Sequence, residues 1–240
     1  MDIVKLKNTY NKNGYVKLNN LIPLTKYKEL FKSLCIVLDL KEVNKNIINF
    51  DNKKIHSELI SLRKTNRFSD IYKILQNINC LNSLYSYQPL LKIISKFINC
   101  DKDLIMVSGR MYRLDSINDK KFSYGWHQDS YYYKQNRNFE NGCVVLFPLT
   151  STKKINGALN LVNSSFKLGH IQHKKSKSNN YYEINRSFAK KYIDIFEGKI
   201  GDVLIMKLNT VHKSGLNLSS KFRISCGARF HNTLSKDFNP

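Results

Sequence analysis

Trp126-His127-Gln128-Asp129-Ser130 is the stretch that decides the reading of this chain. A histidine and a carboxylate two residues apart point to the same side of an extended strand, while the glutamine between them points away. A second histidine, His212, follows 83 residues after Asp129, and Arg223 lies eleven residues beyond it. The run Gly201-Asp202-Val203-Leu204-Ile205-Met206-Lys207 reads as a strand leading to a turn, and His212-Lys213-Ser214-Gly215 as the next extended piece. His127, Asp129 and His212 can therefore occupy three adjacent positions around one metal, with the opposite face left open. Such convergence needs a β-rich fold in which strands distant in the chain lie side by side.

Two imidazoles and one carboxylate suit Fe(II) and leave three positions for two oxygens of a co-substrate and for O2. A His-x-Asp triplet alone is weak; its company is what makes it specific. Arg223 stands among Phe222, Ile224 and Cys226, so its charge faces inward and needs a partner. Its planar fork suits a carboxylate, Ser225 points the same way along the strand, and Ser214, two residues after His212, adds a further donor. His56, His170, His173 and His231 lack this company and read as surface or packing residues, with His170 the one nearest the site.

The elements around these residues fall into two regimes. Over the first hundred residues apolar side chains recur at helical spacing: residues 24–40, with Thr25 as the cap, then 55–62, 71–78, and 84–98 interrupted near Pro89. A short strand at Gly14-Tyr15-Val16-Lys17-Leu18 precedes them. From Leu104 onward short strand-like runs alternate with Gly, Asn and Ser turns: 104–107, 110–114, 143–149, 157–162, 203–207 and 222–230. The polar stretch 173–186 reads as a mobile loop beside the site. One domain over residues 1–240 results, with residues 1–100 as mostly helical support and 101–235 as the β core.

Composition excludes more than it assigns. No apolar run is long enough to span a bilayer, and the N-terminus lacks the basic-then-apolar pattern of a secretion signal. The five cysteines are scattered without metal-finger spacing and read as reduced, mostly buried thiols, which fits a cytoplasmic protein. The net charge of +22 comes mainly from lysine spread along the whole chain. That distribution fits the compositional bias of an AT-rich genome better than a nucleic-acid stripe, so nucleic acid is the disfavoured partner. No feature of the chain fixes an oligomeric state.

Taken together, Asn13-Gly14-Tyr15-Val16, Trp126-His127-Gln128-Asp129, the run from Gly157 to His170, His212-Lys213-Ser214-Gly215-Leu216-Asn217 and Arg223 resemble the phytanoyl-CoA dioxygenase-like family of Fe(II)/2-oxoglutarate oxygenases. The resemblance runs from about residue 10 to 230. The run after Gly157 is similar to the family's G-x-L-x-x-x-P-G-S-H-K-x-G-H pattern, but has Asn163-Ser164 for Pro-Gly and Phe166 for His. The resemblance implies a double-stranded β-helix, or jelly-roll, buttressed by helices. It implies His127, Asp129 and His212 as iron ligands, with Arg223 and Ser225 on the far carboxylate of 2-oxoglutarate. It also implies hydroxylation of an unactivated C–H bond of a small molecule, with release of succinate and CO2. A carboxylate at position 129 favours hydroxylation over halogenation, because a halide would need that coordination site.

The substrate side is more open. Arg110 can hold the substrate or the co-substrate's 1-carboxylate, and Tyr124 and Ser214 are further candidates on the co-substrate side. Alternation places Tyr131 and Tyr133 on the side of Asp129, with Tyr112 on a neighbouring strand. Arg229, six residues after Arg223, reads equally as a substrate contact or as scaffold. A basic lining suits an anionic small molecule. Two alternatives stand beside this reading: an oxygenase of alkylated nucleic-acid bases, echoed in the Arg223-x5-Arg229 spacing, and a jelly-roll binding protein without catalysis.

Overall fold

The structure is a computed structural model describing residues 1–119, 124–136, 138–176 and 181–240. Its helices are α1 (Ile3–Asn13), α2 (Lys28–Val37), α3 (Lys53–Leu62), α4 (Arg67–Asn77), α5 (Asn82–Tyr85) and α6 (Gln88–Ile98). Its strands are β1 (Tyr15–Leu18), β2 (Ile105–Asp115), β3 (Gly142–Pro148), β4 (Leu159–Val162), β5 (Lys174–Lys175), β6 (Tyr182–Glu183), β7 (Ile193–Phe196), β8 (Val203–Lys207), β9 (His212–Ser214) and β10 (Arg223–Asn232). The strands pair antiparallel in a five-stranded sheet ordered β1-β8-β3-β10-β2, a three-stranded sheet ordered β7-β4-β9, and the small hairpin β5-β6. This is the expected jelly-roll with buttressing helices.

Strand alternation divides the large sheet's residues between two environments. Cys143, Val145 and Phe147 of β3, Val203 and Ile205 of β8, and Ile224, Cys226, Ala228 and Phe230 of β10 pack into one buried cluster with the helices. Opposite them, Val144, Leu204 and Met206 meet Leu159, Leu161 and Phe196 of the smaller sheet. The helices present their apolar residues at i, i+3 and i+4: Leu30, Phe31 and Leu34 in α2, Ile55 and Leu59 in α3, and Leu90, Ile93, Ile94 and Phe97 in α6. Pro89 does not break α6; it occupies the first turn, where its missing N–H has no helical partner to lose.

Several boundaries differ from the sequence expectation for identifiable reasons. Thr25 lies inside a 3-10 turn led by Pro23 and caps nothing, so α2 begins only at Lys28. Helix α1 was not expected, since its sequence is mostly polar and Tyr10 is its one buried residue. It is set by its ends: the Asp2 side chain accepts the Lys5 N–H, and Gly14 closes it in the left-handed region (φ 88°), donating its own N–H to Tyr10. A Cβ at Gly14 would stand 2.8 Å from both Phe166 and Thr210. That contact also accounts for Phe166, whose ring covers the buried Lys207 ammonium together with Tyr10. Ser164 takes a left-handed conformation (φ 58°) where the family pattern has glycine, and its hydroxyl donates to Lys12 O. The stretch 173–186, expected as a loop, holds the β5-β6 hairpin; residues 177–180 lie outside the described residues.

All five cysteines are free thiols, and Cys80 alone is not fully buried. Among the described residues no helix is long and apolar enough to cross a membrane.

His231 ties the end of β10 to the loop before β3: Nδ1 donates to Asn136 Oδ1 (3.0 Å) and Nε2 accepts from Ser108 Oγ (2.9 Å), in the tautomer these partners require. Burial first, and the Arg229 charge second, push its pKa down to about 4. The unfolded chain then binds a proton the native state refuses between about pH 6.5 and 4. Stability is full above this window and falls through it, by on the order of 3 kcal/mol from this residue. Chemical denaturation of wild type and His231→Gln across that range is expected to show a shallower pH dependence in the variant; identical slopes would contradict the assignment.

Candidate metal centre

Gln128 is extended (φ −119°, ψ 135°), so His127 and Asp129 flank it on one side, as i and i+2 residues do. His212 opens β9. The two histidines form an antiparallel bridge: His127 N–H donates to His212 O (2.9 Å) and His212 N–H to His127 O (3.0 Å). Both rings are oriented by their Nδ1 atoms, on Gly125 O for His127 (2.8 Å) and Thr210 O for His212 (2.9 Å). Their Nε2 atoms consequently face Asp129 Oδ1, at 3.7 and 3.8 Å. The three residues are buried, and one ligand atom from each lies within 4.8 Å of the others. Two neutral nitrogens and one anionic oxygen at this mutual distance fit a divalent iron-like ion. Carbonyl acceptors behind both rings fix the tautomer that leaves Nε2 free.

The protonation states suit ligation. Burial, reinforced by the neighbouring His212, pushes His127 down to about 3, and burial also lowers His212. Burial would raise Asp129, but Arg229 and the two histidines outweigh it and hold the carboxyl below its usual range. Arg229 is the second holder of this group. Its Nε and Nη2 reach Asp129 Oδ2 at 2.8 and 2.7 Å, its Nη1 donates to Gly109 O (2.8 Å), and its guanidinium lies 4.3 Å from the centre of the Tyr133 ring. One carboxylate oxygen is thus engaged by arginine while the other faces the histidines. Sequence left Arg229 open between substrate contact and scaffold, and the geometry makes it a partner of Asp129.

Gln128, pointing away, is fully buried. Its amide donates to Gly169 O and Asn209 O and accepts from the Ile171 N–H, each at 2.8 Å. The His173 Nε2 accepts the Gln128 backbone N–H (3.0 Å). The middle residue of the triplet therefore fastens two loops to the centre.

A cavity of about 440 Å³ opens beside the three residues. Inner-face residues of β10 and β2 line its interior: Arg223, Ser225 and Arg229 on one strand, Met111 and Arg113 on the other. Arg223 and Arg113 share Asp115, at 2.7 Å and 2.5 Å. Burial lowers the Arg223 guanidinium against the pull of Asp115, and its buried Nε has no hydrogen-bond partner among the described residues. Val144, Leu146, Leu159 and Met206 supply apolar wall, and Tyr72 and Gln76, one turn apart on α4, close it from the helical side.

The cavity collects most of the residues singled out from sequence: His127, Asp129, His212, Arg223, Ser225, Ser214, Arg110, Tyr124, Tyr133 and Arg229 all line it. Two do not belong there. Tyr112 is fully buried in the cluster under the helices, because the parity of β2 sends it to the opposite face from Met111 and Arg113. Tyr131 stacks on His173 (4.3 Å) and His170 (6.1 Å), outside the cavity. Alternation fails after Asp129 because a 3-10 turn starts there (Asp129–Tyr131), which brings Tyr132 to the cavity in its place. Arg113 was missed, although Arg113-x-Asp115 in a strand is a same-face ion pair legible from sequence. Tyr132 stands in the tyrosine run 131–133 after the metal triplet, but strand alternation turns it away; Tyr72, Gln76 and Tyr181 carry no usable signal.

The model of the family described as phytanoyl-CoA dioxygenase (PhyH) matches residues 10–225, and the chain belongs to that family. No curated protein matches the chain. Among solved structures, the apo non-heme monooxygenase ThoJ is similar over 95% of this chain and 77% of its own, with TM-score 0.69 and 16% identity. The epimerase SnoN, in complex with Fe3+, alpha ketoglutarate and nogalamycin RO, covers 96% and 83% with TM-score 0.65 and 12% identity. EvdO2 from Micromonospora carbonacea var. aurantiaca, complexed with 2-oxoglutarate, covers 100% and 95% with TM-score 0.63 and 13% identity. At such identities the likeness is one of fold.

Arg229→Lys keeps the charge beside Asp129 and loses the fork. Competition against a chelator is expected to show divalent-metal affinity reduced about tenfold or more. Unchanged affinity would mean that Arg229 does not position the carboxylate.

Proposed function

We propose that the protein is an Fe(II)- and 2-oxoglutarate-dependent oxygenase that hydroxylates an unactivated C–H bond of a small molecule, releasing succinate and CO2. The observation that carries this reading is the pairing, in one cavity, of the three-residue metal set with a buried guanidinium that retains an unused donor. His127, Asp129 and His212 would hold the iron, which when bound supplies the activation of O2 that no side chain provides. Arg223, with Ser225 beside it, would receive the far carboxylate of 2-oxoglutarate, and Arg113 adds a second positive charge at the same end. Asp115 holds both guanidiniums in place before the co-substrate arrives, so little reorganisation is needed on binding.

The remaining residues keep the site ordered and dry. Arg229 fixes which Asp129 oxygen faces the histidines, and Gln128 anchors the loops that carry His173 and Asn209. The apolar wall around Val144, Leu146 and Met206 excludes water from the space between metal and substrate. Tyr132 accepts the Tyr182 N–H and donates to its carbonyl (2.9 and 2.6 Å), holding the β5-β6 hairpin beside the opening.

Replacing His127, Asp129 or His212 singly with alanine is expected to abolish 2-oxoglutarate-dependent succinate formation; wild-type turnover in all three would overturn the reading. Arg223→Ala is expected to raise KM for 2-oxoglutarate by about 10–100-fold, the worth of one charge-assisted hydrogen-bonded contact, with metal affinity unchanged. A KM that does not move would remove Arg223 from the co-substrate site.

A further inference from the structure

We infer that the substrate is a small anion carrying a carboxylate or phosphate group, and that Arg110 is the residue that receives this group. The inference rests on the iron and 2-oxoglutarate reading above and adds the chemistry of the second ligand.

Charge within the cavity is the first argument. Arg110, Arg113, Arg223 and Arg229 line it, whereas Asp129 is the one acid doing so among the described residues. Asp115 lies beneath, shared by Arg113 and Arg223. Four guanidiniums against two carboxylates leave two positive charges, the histidines being neutral. A divalent ion and a dianionic co-substrate cancel each other, so the loaded site still carries those two. A cleft with low-dielectric walls concentrates that field on whatever enters next.

Arg110 differs from the other three in commitment and position. The other three, Arg223 and Arg229 buried and Arg113 half-buried, each face a carboxylate. Arg110 is exposed, and its side chain has no ion pair or hydrogen bond among the described residues. A co-substrate held in the dry interior meets the buried group at Asp115, and a molecule arriving from solvent meets Arg110.

The backbone is built to deliver it. In a regular strand Arg110 would share the parity of Tyr112 and turn toward the helical core. Instead the β2-β10 register shifts between Gly227 and Arg229, so Gly109 and Arg110 together oppose Ala228. Gly109 takes the left-handed conformation (φ 51°) such a bulge requires, and a Cβ there would run into the Tyr133 ring. Arg110 and Met111, adjacent in sequence, consequently both line the cavity. The same bulge turns Gly109 O to Arg229, coupling the anion anchor to the arginine that holds Asp129. Tyrosines 124, 132, 133 and 181 line the same cavity as Arg110 and the metal set and suit an apolar or ring-shaped body.

Calorimetric titration tests this on the full chain loaded with Mn(II) and 2-oxoglutarate, at about 0.15 M salt so that the chain-wide positive field is screened beyond roughly 8 Å. Phenyl phosphate, benzoate and the neutral benzamide are the probes. At least one anion is expected to bind at least tenfold tighter than benzamide, and the tighter of the two identifies the group. Arg110→Gln is expected to abolish that preference and Arg110→Lys to retain part of it, with the Kd of 2-oxoglutarate within twofold of wild type and the thermal midpoint unchanged. Equal binding of benzamide and both anions, or an anion preference that survives in Arg110→Gln, would overturn the inference. So would a loss of 2-oxoglutarate affinity in Arg110→Gln, which would assign Arg110 to the co-substrate. If wild type takes up neither Mn(II) nor 2-oxoglutarate, the proposed function fails, and the same probes on the unloaded chain still decide whether Arg110 selects anions.

Discussion

Two backbone hydrogen bonds between His127 and His212 are the constraint on which the site depends. They join a segment that belongs to no named strand to the first residue of β9, and so set two side chains 85 positions apart in the chain next to each other. Asp129 then follows from local geometry, since one extended residue separates it from His127. The jelly-roll provides β9 and the extended segment bridged to it, and carbonyl acceptors on both Nδ1 atoms turn the rings toward a common point. Chain connectivity contributes little; strand pairing contributes nearly all of it.

Charge in a dry interior is the second constraint. Buried guanidiniums are tolerated only with partners, and this site meets the requirement twice: Asp115 between Arg113 and Arg223, and Asp129 against Arg229. Each solution also serves a function under the proposed reading. The first leaves the Arg223 Nε without a hydrogen-bond partner among the described residues, available to a ligand, and the second fixes one oxygen of a metal-binding carboxylate. Arg110 is the exception, an exposed cation at the bulge of β2 whose side chain has no partner among the described residues.

Much of this is legible in the chain itself. His127, Asp129, His212, Arg223 and Ser225 follow from period-two alternation and spacing, and the buried helical faces of α2, α3 and α6 from their 3.6-residue repeat. Legibility stopped where local conformation departs from those periods. The 3-10 turn at Asp129 put Tyr132, not Tyr131, at the cavity, and the parity of β2 beyond its bulge sent Tyr112 into the core. Tyr72 and Gln76 were illegible for another reason: they stand one turn apart on α4, but nothing in a helix's own sequence says which part of a distant site it covers. Helix α1 has no legible periodicity because its ends, not an apolar face, define it.

Under the proposed reading, three side chains share one ion. Anaerobic titration of the metal-free chain with Mn(II), followed by electron paramagnetic resonance, measures this without any substrate. A single tight ion per chain is expected, lost in His127→Ala and in His212→Ala alike, with both variants retaining the wild-type circular dichroism spectrum. Tight uptake that survives both substitutions, or that is lost in only one of them, would place the ion elsewhere and contradict it.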